Sequence, residues 1–168
     1  MAKIGALKLT TKAEQGATMI VRDPFGDEND TGDLPALLAA DGTPATLTLL
    51  GADSATAKRL DYQRAAAAQN RVTAAMFGKG GKRGVVTPED IAEQASFDLE
   101  RLVALTIDWH GFEDEDGTPL PFSDDAVREL YAQNVLIREQ AIAFVSDRSR
   151  FFGHSSTPSA LSSSTSSA

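Results

Sequence analysis

The sequence predicts an α+β chain in three parts: a small N-terminal β-element over residues 1–50, a mainly helical domain over 51–152, and a serine-rich tail over 153–168. Three observations carry this prediction. Up to Leu50 the apolar residues fall in short runs bounded by Gly, Pro and Asp, the pattern of brief strands and turns. After Gly51 they recur at the three-and-four spacing of helices. Residues 153–168 hold eight serines, two threonines and no charged side chain, a composition that buries too little apolar surface to offset its ordering entropy. That tail is expected to be disordered unless a partner holds it.

Ile4, Leu7 and Leu9, then Met19, Ile20 and Val21, flank a polar centre and predict two short strands joined at Gly16. Asp23 to Asp33 is turn chemistry throughout and predicts an exposed loop. Asp41-Gly42-Thr43-Pro44 makes a second turn, and Ala45 to Leu50 follows as a strand with Leu47 and Leu49 on one face. Asp53 or Ser54 caps an alanine-rich helix near 54–77, whose sparse apolar positions leave a small-residue face suited to close packing on a helix or a partner. Gly78 to Gly84 reads as a flexible basic linker. Thr87-Pro88-Glu89-Asp90 supplies an N-cap, a first-position proline and first-turn acids. It opens a helix near 88–107 with a core stripe of Ile91, Ala95, Leu99, Leu102, Val103 and Thr106. Residues 109–122 form an acidic hairpin-like loop turning at Asp116-Gly117. Ser123 caps a helix near 124–132, Asn134 restarts one near 135–149, and the ordered domain ends near Phe152. Strands are confined mainly to residues 4–50.

The length, 168 residues and 17.8 kDa, suits one modest domain with tails. Cysteine is absent, which removes disulfides and thiolate chemistry together. With 24 acidic against 16 basic residues the net charge is -8, which opposes a broad grip on phosphate backbones, so nucleic acid is not an expected partner. No apolar run approaches the roughly 20 residues of a membrane-spanning helix, and Met1 to Gly5 lacks the apolar stretch of a secretory signal. A soluble chain that stays where it is made, with no membrane partner, is the expectation.

The chemistry-bearing patterns fail on spacing. With Gly117 at the sixth position of a helix-loop-helix calcium loop, the first ligand is Phe112 and the twelfth is Ser123, and neither serves. The Asp27 to Gly32 segment fails in the same way at Leu38. A phosphate-binding glycine loop ending at Gly81-Lys82 needs a glycine where Met76 stands and a hydroxyl where Arg83 stands. The two histidines, His110 and His154, do not assemble a metal site or a nucleophile-histidine-acid set. The sequence therefore predicts no catalytic residues, no metal and no cofactor.

Aromatic residues are the conspicuous feature. Trp109, Phe112, Phe122, Tyr131, Phe144, Phe151 and Phe152 fall within about a quarter of the chain. They read either as a C-terminal mini-core, with Trp109 on Leu120, Phe122 and the helix bearing Phe144, or as an anchor for another protein. Under the second reading the candidate partner-binding residues are Trp109, Phe112, Phe122, Tyr131, Phe151 and Phe152.

The succession Leu47-Thr48-Leu49-Leu50-Gly51-Ala52-Asp53-Ser54, Gln63-Arg64-Ala65, Gln69-Asn70-Arg71, Asp108-Trp109-His110-Gly111-Phe112, Asp116-Gly117-Thr118-Pro119-Leu120-Pro121-Phe122-Ser123, Arg138-Glu139-Gln140 and Asp147 to Phe151 resembles tail assembly chaperone-like proteins from the tail-gene region of tailed bacteriophages. The resemblance spans residues 45–152, and the Trp109 to Ser123 stretch is its most distinctive part. It implies a non-enzymatic protein of virion morphogenesis that holds tape-measure or tail-tube subunits soluble in the host cytoplasm until they polymerise. The β-rich N-terminus and serine-rich tail exceed what a short chaperone needs, and leave open a stoichiometric component of the virion and a homo-oligomer.

Overall fold

The computed structural model describes residues 9–26, 33–77, 87–114 and 116–151. The elements run α1 (Leu9–Gln15), β1 (Ala17–Ile20), β2 (Thr46–Leu49), α2 (Ala55–Phe77), α3 (Pro88–Leu105), β3 (Thr106–His110), α4 (Asp124–Gln133) and α5 (Val135–Ser146), ending in a 3-10 turn at Arg148–Phe151. This is an α+β fold. Among the described residues no helix is long and apolar enough to cross a membrane.

The three strands form an antiparallel sheet in the order β1-β2-β3. Alternation along β2 buries Leu47 and Leu49 on one face and leaves Thr46 and Thr48 toward the other. Met19 and Trp109 stand opposite Leu47 on the buried face. The helices supply the rest of the core: Leu102, Val103 and Leu105 at the end of α3, Val127 and Tyr131 on α4, and Ile137, Ala141 and Val145 on α5. The opposite face of the sheet stays open, with the Thr18 and Thr48 hydroxyls 3.5 Å apart across the ladder.

The helix starts follow their expected caps. The Ser54 hydroxyl accepts the Ala57 N–H at 3.1 Å, Thr87 and Asp90 form a reciprocal capping box, and Ser123 accepts the Ala126 N–H. The α4–α5 junction falls at Asn134, whose side-chain amide donates to the Leu130 carbonyl at 3.1 Å.

Three expectations are corrected. Residues 9–15 are helical where the sequence predicted the end of a strand and the approach to a turn, and Ile4 and Leu7 of that expected strand lie outside the described residues. Gly16, at φ 74°, ends α1 in the left-handed conformation typical of a helix C-terminus, and a Cβ there would lie 3.1 Å from the Leu49 carbonyl. The helix is held by its polar side chains rather than by an apolar stripe. Glu14 accepts the Ala55 N–H at 2.7 Å and the Thr56 hydroxyl at 3.2 Å, which ties α1 to the start of α2.

The second correction is β3, a strand beyond the expected β-element. The helix expected to reach 107 stops at Leu105 and turns straight into strand. Leu49 pairs with Thr106 and Thr48 with Asp108, so Ile107 is an extra residue in the ladder, a β-bulge. The burial order along β3 places Thr106 and Trp109 inside and Ile107 and Asp108 outside. Third, the apolar stripe of α3 is only half a core stripe: Leu102 and Val103 are buried, whereas Ile91 is 63% exposed and Ala95 is also exposed. The helix near 135–149 likewise gives way to the 3-10 turn after Ser146. The basic linker at 78–84, the acidic segment at 27–32, Phe152 and the serine-rich tail lie outside the described residues.

A buried polar contact pins the α3–β3 turn. The Thr106 hydroxyl donates to the Leu102 carbonyl and lies 2.9 Å from the Tyr131 hydroxyl, and burial pushes the Tyr131 phenol up to about 12. Thr106→Val leaves that phenol without its side-chain partner and is expected to cost about 1–3 kcal/mol. Urea unfolding of Thr106→Val, Tyr131→Phe and the double variant measures it, and the double variant is expected to lose less than the sum of the two single changes.

Candidate protein-interaction site

The expected aromatic cluster divides into separate groups. Trp109 is 8% exposed. Its ring lies 5.0 Å from Phe112 at a tilt and 5.9 Å from Phe122 edge-to-face, both within favourable aromatic geometry. Its indole N–H donates to the Leu120 carbonyl at 3.1 Å, so the hairpin is stapled down by a polar as well as an apolar contact. Phe144 is paired elsewhere: its ring neighbour is Phe151, 5.8 Å away and edge-to-face. The expected approach of Trp109 to Phe144 is thus replaced by a trio of Trp109, Phe112 and Phe122 and a separate Phe144–Phe151 pair. Tyr131 is fully buried and Phe151 nearly so, while Phe112 and Phe122 are half-buried. An open depression of about 360 Å³ beside the tryptophan is lined by Phe112, Leu120, Ala126, Leu130 and Gln133.

The acidic residues around this cluster serve the backbone. Asp114 Oδ1 accepts the N–H groups of Asp116 and Thr118 at 3.0 and 2.8 Å, and Glu113 Oε1 accepts that of Ala40 at 3.2 Å. Among the described residues no group of three or more His, Asp or Glu side chains is placed to hold a metal. His110 Nε2 is 3.2 Å from the Thr43 hydroxyl, which itself donates to Asp41 at 2.6 Å. The Thr43 hydrogen bonds hold the Asp41 carboxyl below its usual range. All three side chains are exposed.

The larger exposed surface lies elsewhere, on an arm made by α2 and the first half of α3. Every α2 residue from Asp61 to Thr73 is exposed. The two helices run antiparallel and are laced by charge: Asp61 with Arg101 at 2.8 Å, Arg64 with Asp98 at 3.6 Å, and Arg71 with Glu93. The Arg64 guanidinium also sits 4.7 Å above the Phe97 ring, a cation–π contact. Exposed pairs of this kind contribute about 0–1 kcal/mol each, and little apolar burial joins them. The arm nevertheless presents Tyr62, 73% exposed, and Val72, 50% exposed, alongside Ile91. Sequence reasoning foresaw a small-residue face on α2 but placed no binding residues there. The available signal was the sparseness of its apolar positions, too few to seat 23 residues on a core.

Comparison with protein-family models, with curated proteins and with solved structures finds no match to this chain.

Two outcomes are expected. Trp109→Ala removes the ring on which Phe112 and Phe122 rest and is expected to cost about 3–5 kcal/mol in thermal or urea unfolding; an unchanged melting temperature with loss of a partner would identify the indole as an interface anchor. The second concerns the arm. Hydrogen bonds from the Thr87 N–H and hydroxyl hold the Asp90 carboxyl below its usual range. A depressed carboxyl stabilises the fold above its unfolded pKa, about 3.9, and loses that contribution as pH falls through its lower folded value. Acidification is therefore expected to open the first turn of α3 before the core, read as faster amide exchange at Ile91 and Ala92 than at Val103.

Proposed function

We propose that this chain is a non-enzymatic protein of phage tail morphogenesis, a tail assembly chaperone that binds tape-measure or tail-tube subunits. The observation that supports it best is the α2–α3 arm. A helix pair that exposes Tyr62, Val72 and Ile91 while resting on surface ion pairs is poorly accounted for by the stability of the isolated chain. It is well suited to a partner that buries those side chains. The resemblance of residues 45–152 to tail assembly chaperone-like proteins supplies the class of partner. The carboxylates that a sequence reader would test for catalysis are engaged in capping, turns and ion pairs, in keeping with binding rather than turnover.

Co-expression with the tape-measure and tail-tube proteins of the same genome tests the reading. Chaperone action is expected to raise the soluble yield of one partner, to give a complex on pull-down, and to leave no copy in finished particles. Tyr62→Glu together with Ile91→Glu, both exposed, is expected to abolish the complex with little change in melting temperature. Incorporation into particles at fixed stoichiometry would instead make the chain a virion component. Binding to neither partner overturns the proposal.

A further inference from the structure

The outer edge of β1 offers an incomplete set of strand partners. β1 is an edge strand, and the Val21 N–H, one residue past it, continues the ladder toward β2 by donating to the Ala45 carbonyl at 2.9 Å. In an antiparallel pair successive residues direct their N–H and C=O groups alternately to the two sides. Those of Thr18, Ile20 and Arg22 therefore point away from β2. Arg22 demonstrates the direction: its N–H donates to Gln140 Oε1 at 2.8 Å, and its carbonyl accepts from Gln140 Nε2 at 2.9 Å. The Gln140 carboxamide, reaching over from α5, occupies the place that a peptide group of a neighbouring strand would take. The corresponding groups of Thr18 and Ile20 have no partner among the described residues. Beside them a groove of about 490 Å³ runs between β1 and α5, lined by Ile20, Ala143, Phe144, Asp147 and Arg150.

We infer that this groove takes an extended segment of a partner protein as a fourth strand, with an apolar side chain against Ile20 and Phe144 and a carboxylate facing Arg22. The main-chain groups supply affinity and the alternate side chains supply selectivity, as in strand addition generally. Charge identifies the occupant. The groove carries two guanidiniums, of Arg22 and Arg150, against one carboxylate, Asp147, which is engaged by Arg150 at 3.0 Å. Arg22 Nη1 donates only to the Leu34 carbonyl, and among the described residues no carboxylate pairs with it. A net positive groove on a chain of net charge -8 selects an acidic strand. The chain's own residues 152–168 hold no acidic side chain, and an isologous contact would set the same positive rim against itself. The inference rests on the proposed reading that the chain works by binding other proteins.

The probe is an acetylated, amidated heptapeptide, Thr-Glu-Thr-Ile-Thr-Glu-Thr, which carries Ile and Glu two residues apart on one face as Ile20 and Arg22 are on the chain, added to the full chain and followed by amide NMR. Expected is saturable binding with at least about tenfold slower exchange of the Thr18 and Ile20 amides, about tenfold weaker binding of the Glu-to-Lys peptide, and none by a peptide N-methylated at alternate residues. Ile20→Pro removes an outward donor at a position where an edge strand tolerates proline, and is expected to abolish binding. Arg22→Glu, which keeps every strand donor, is expected to reverse the preference toward the Lys peptide. The inference is overturned by shifts confined to other surfaces, by binding indifferent to Arg22→Glu, by protection of Thr18 and Ile20 that needs only a higher concentration of the chain itself, or by protection that disappears on truncation after Phe151. A tail-protein complex that survives both substitutions removes this site while sparing the proposed function; failure to form any complex removes the proposed function.

Discussion

Ile107 is one residue too many for the ladder between β2 and β3, and the architecture turns on it. In a regular strand Thr106 and Trp109, three apart, point to opposite faces. The extra residue resets the phase, so that both enter the core while Ile107 is pushed out. Its Cδ1 then lies 3.2 Å from where a Gly16 Cβ would be. The bulge thus demands a glycine at the α1–β1 junction as well. On the inner side Thr106 joins α3 to α4 through Tyr131, and Trp109 gathers Phe112, Phe122 and the Leu120 carbonyl beneath the hairpin. A shift of register by one residue would put the indole in water and the isoleucine in the core.

The interior built this way serves only half of the helical surface. The last turns of α3 are buried, and Arg128 of α4 fastens them by two hydrogen bonds to Glu100 at 2.7 and 2.9 Å, while its third, to Asp125 at 2.6 Å, stays within α4. Contact with Arg128 holds the Glu100 carboxyl below its usual range. Farther out, α3 keeps the same heptad-like spacing but meets no core, so Ile91 and Ala95 continue the stripe into solvent. The division follows from length. A helix of 18 residues rises about 27 Å, more than a sheet of three strands spaced about 4.8 Å apart can cover. What lies beyond the sheet must be held by its companion helix, and α2 brings charges for that purpose rather than apolar bulk.

How much of this was legible in the sequence follows from the same physics. Helix starts were readable because caps are local: Ser54, Thr87 and Ser123 each act within three residues. β2 was readable because Leu47 and Leu49 alternate cleanly. β3 was not, since the bulge destroys the period that would announce it, although Thr106, Ile107 and Trp109 are all strand-favouring residues. α1 escaped notice because its contribution is Glu14 capping another helix 41 residues away, and Gly16 is equally at home in a hairpin turn and after a helix. The aromatic cluster was legible as a set but not in its partition, because which ring meets which depends on where the bulge sends Trp109. The arm's exposed residues and the paired Arg22–Gln140 amide groups, 118 residues apart, arise only from tertiary placement.

An unpaired strand edge ordinarily invites pairing with further copies of the same chain, so the features around β1 have to be weighed as protection as well as opportunity. The strand is four residues long, and Gln140 closes the outward groups of Arg22 next to its end. That leaves the outward groups of Thr18 and Ile20, too few for a second sheet to grow from. The chain's net charge of -8 opposes close approach of copies, while the rim at Arg22 and Arg150 lowers that barrier locally for an acidic segment. The same arrangement that denies the edge to indiscriminate pairing therefore defines what is admitted: a short strand with an apolar side chain for Ile20 and, two residues away on the same face, a carboxylate for Arg22. Discrimination of this kind needs no rigid catalytic geometry. It needs an edge held flat by β2, a helix held at a fixed distance by Gln140, and a core firm enough to keep both in place, which the bulged β3 and its tryptophan provide.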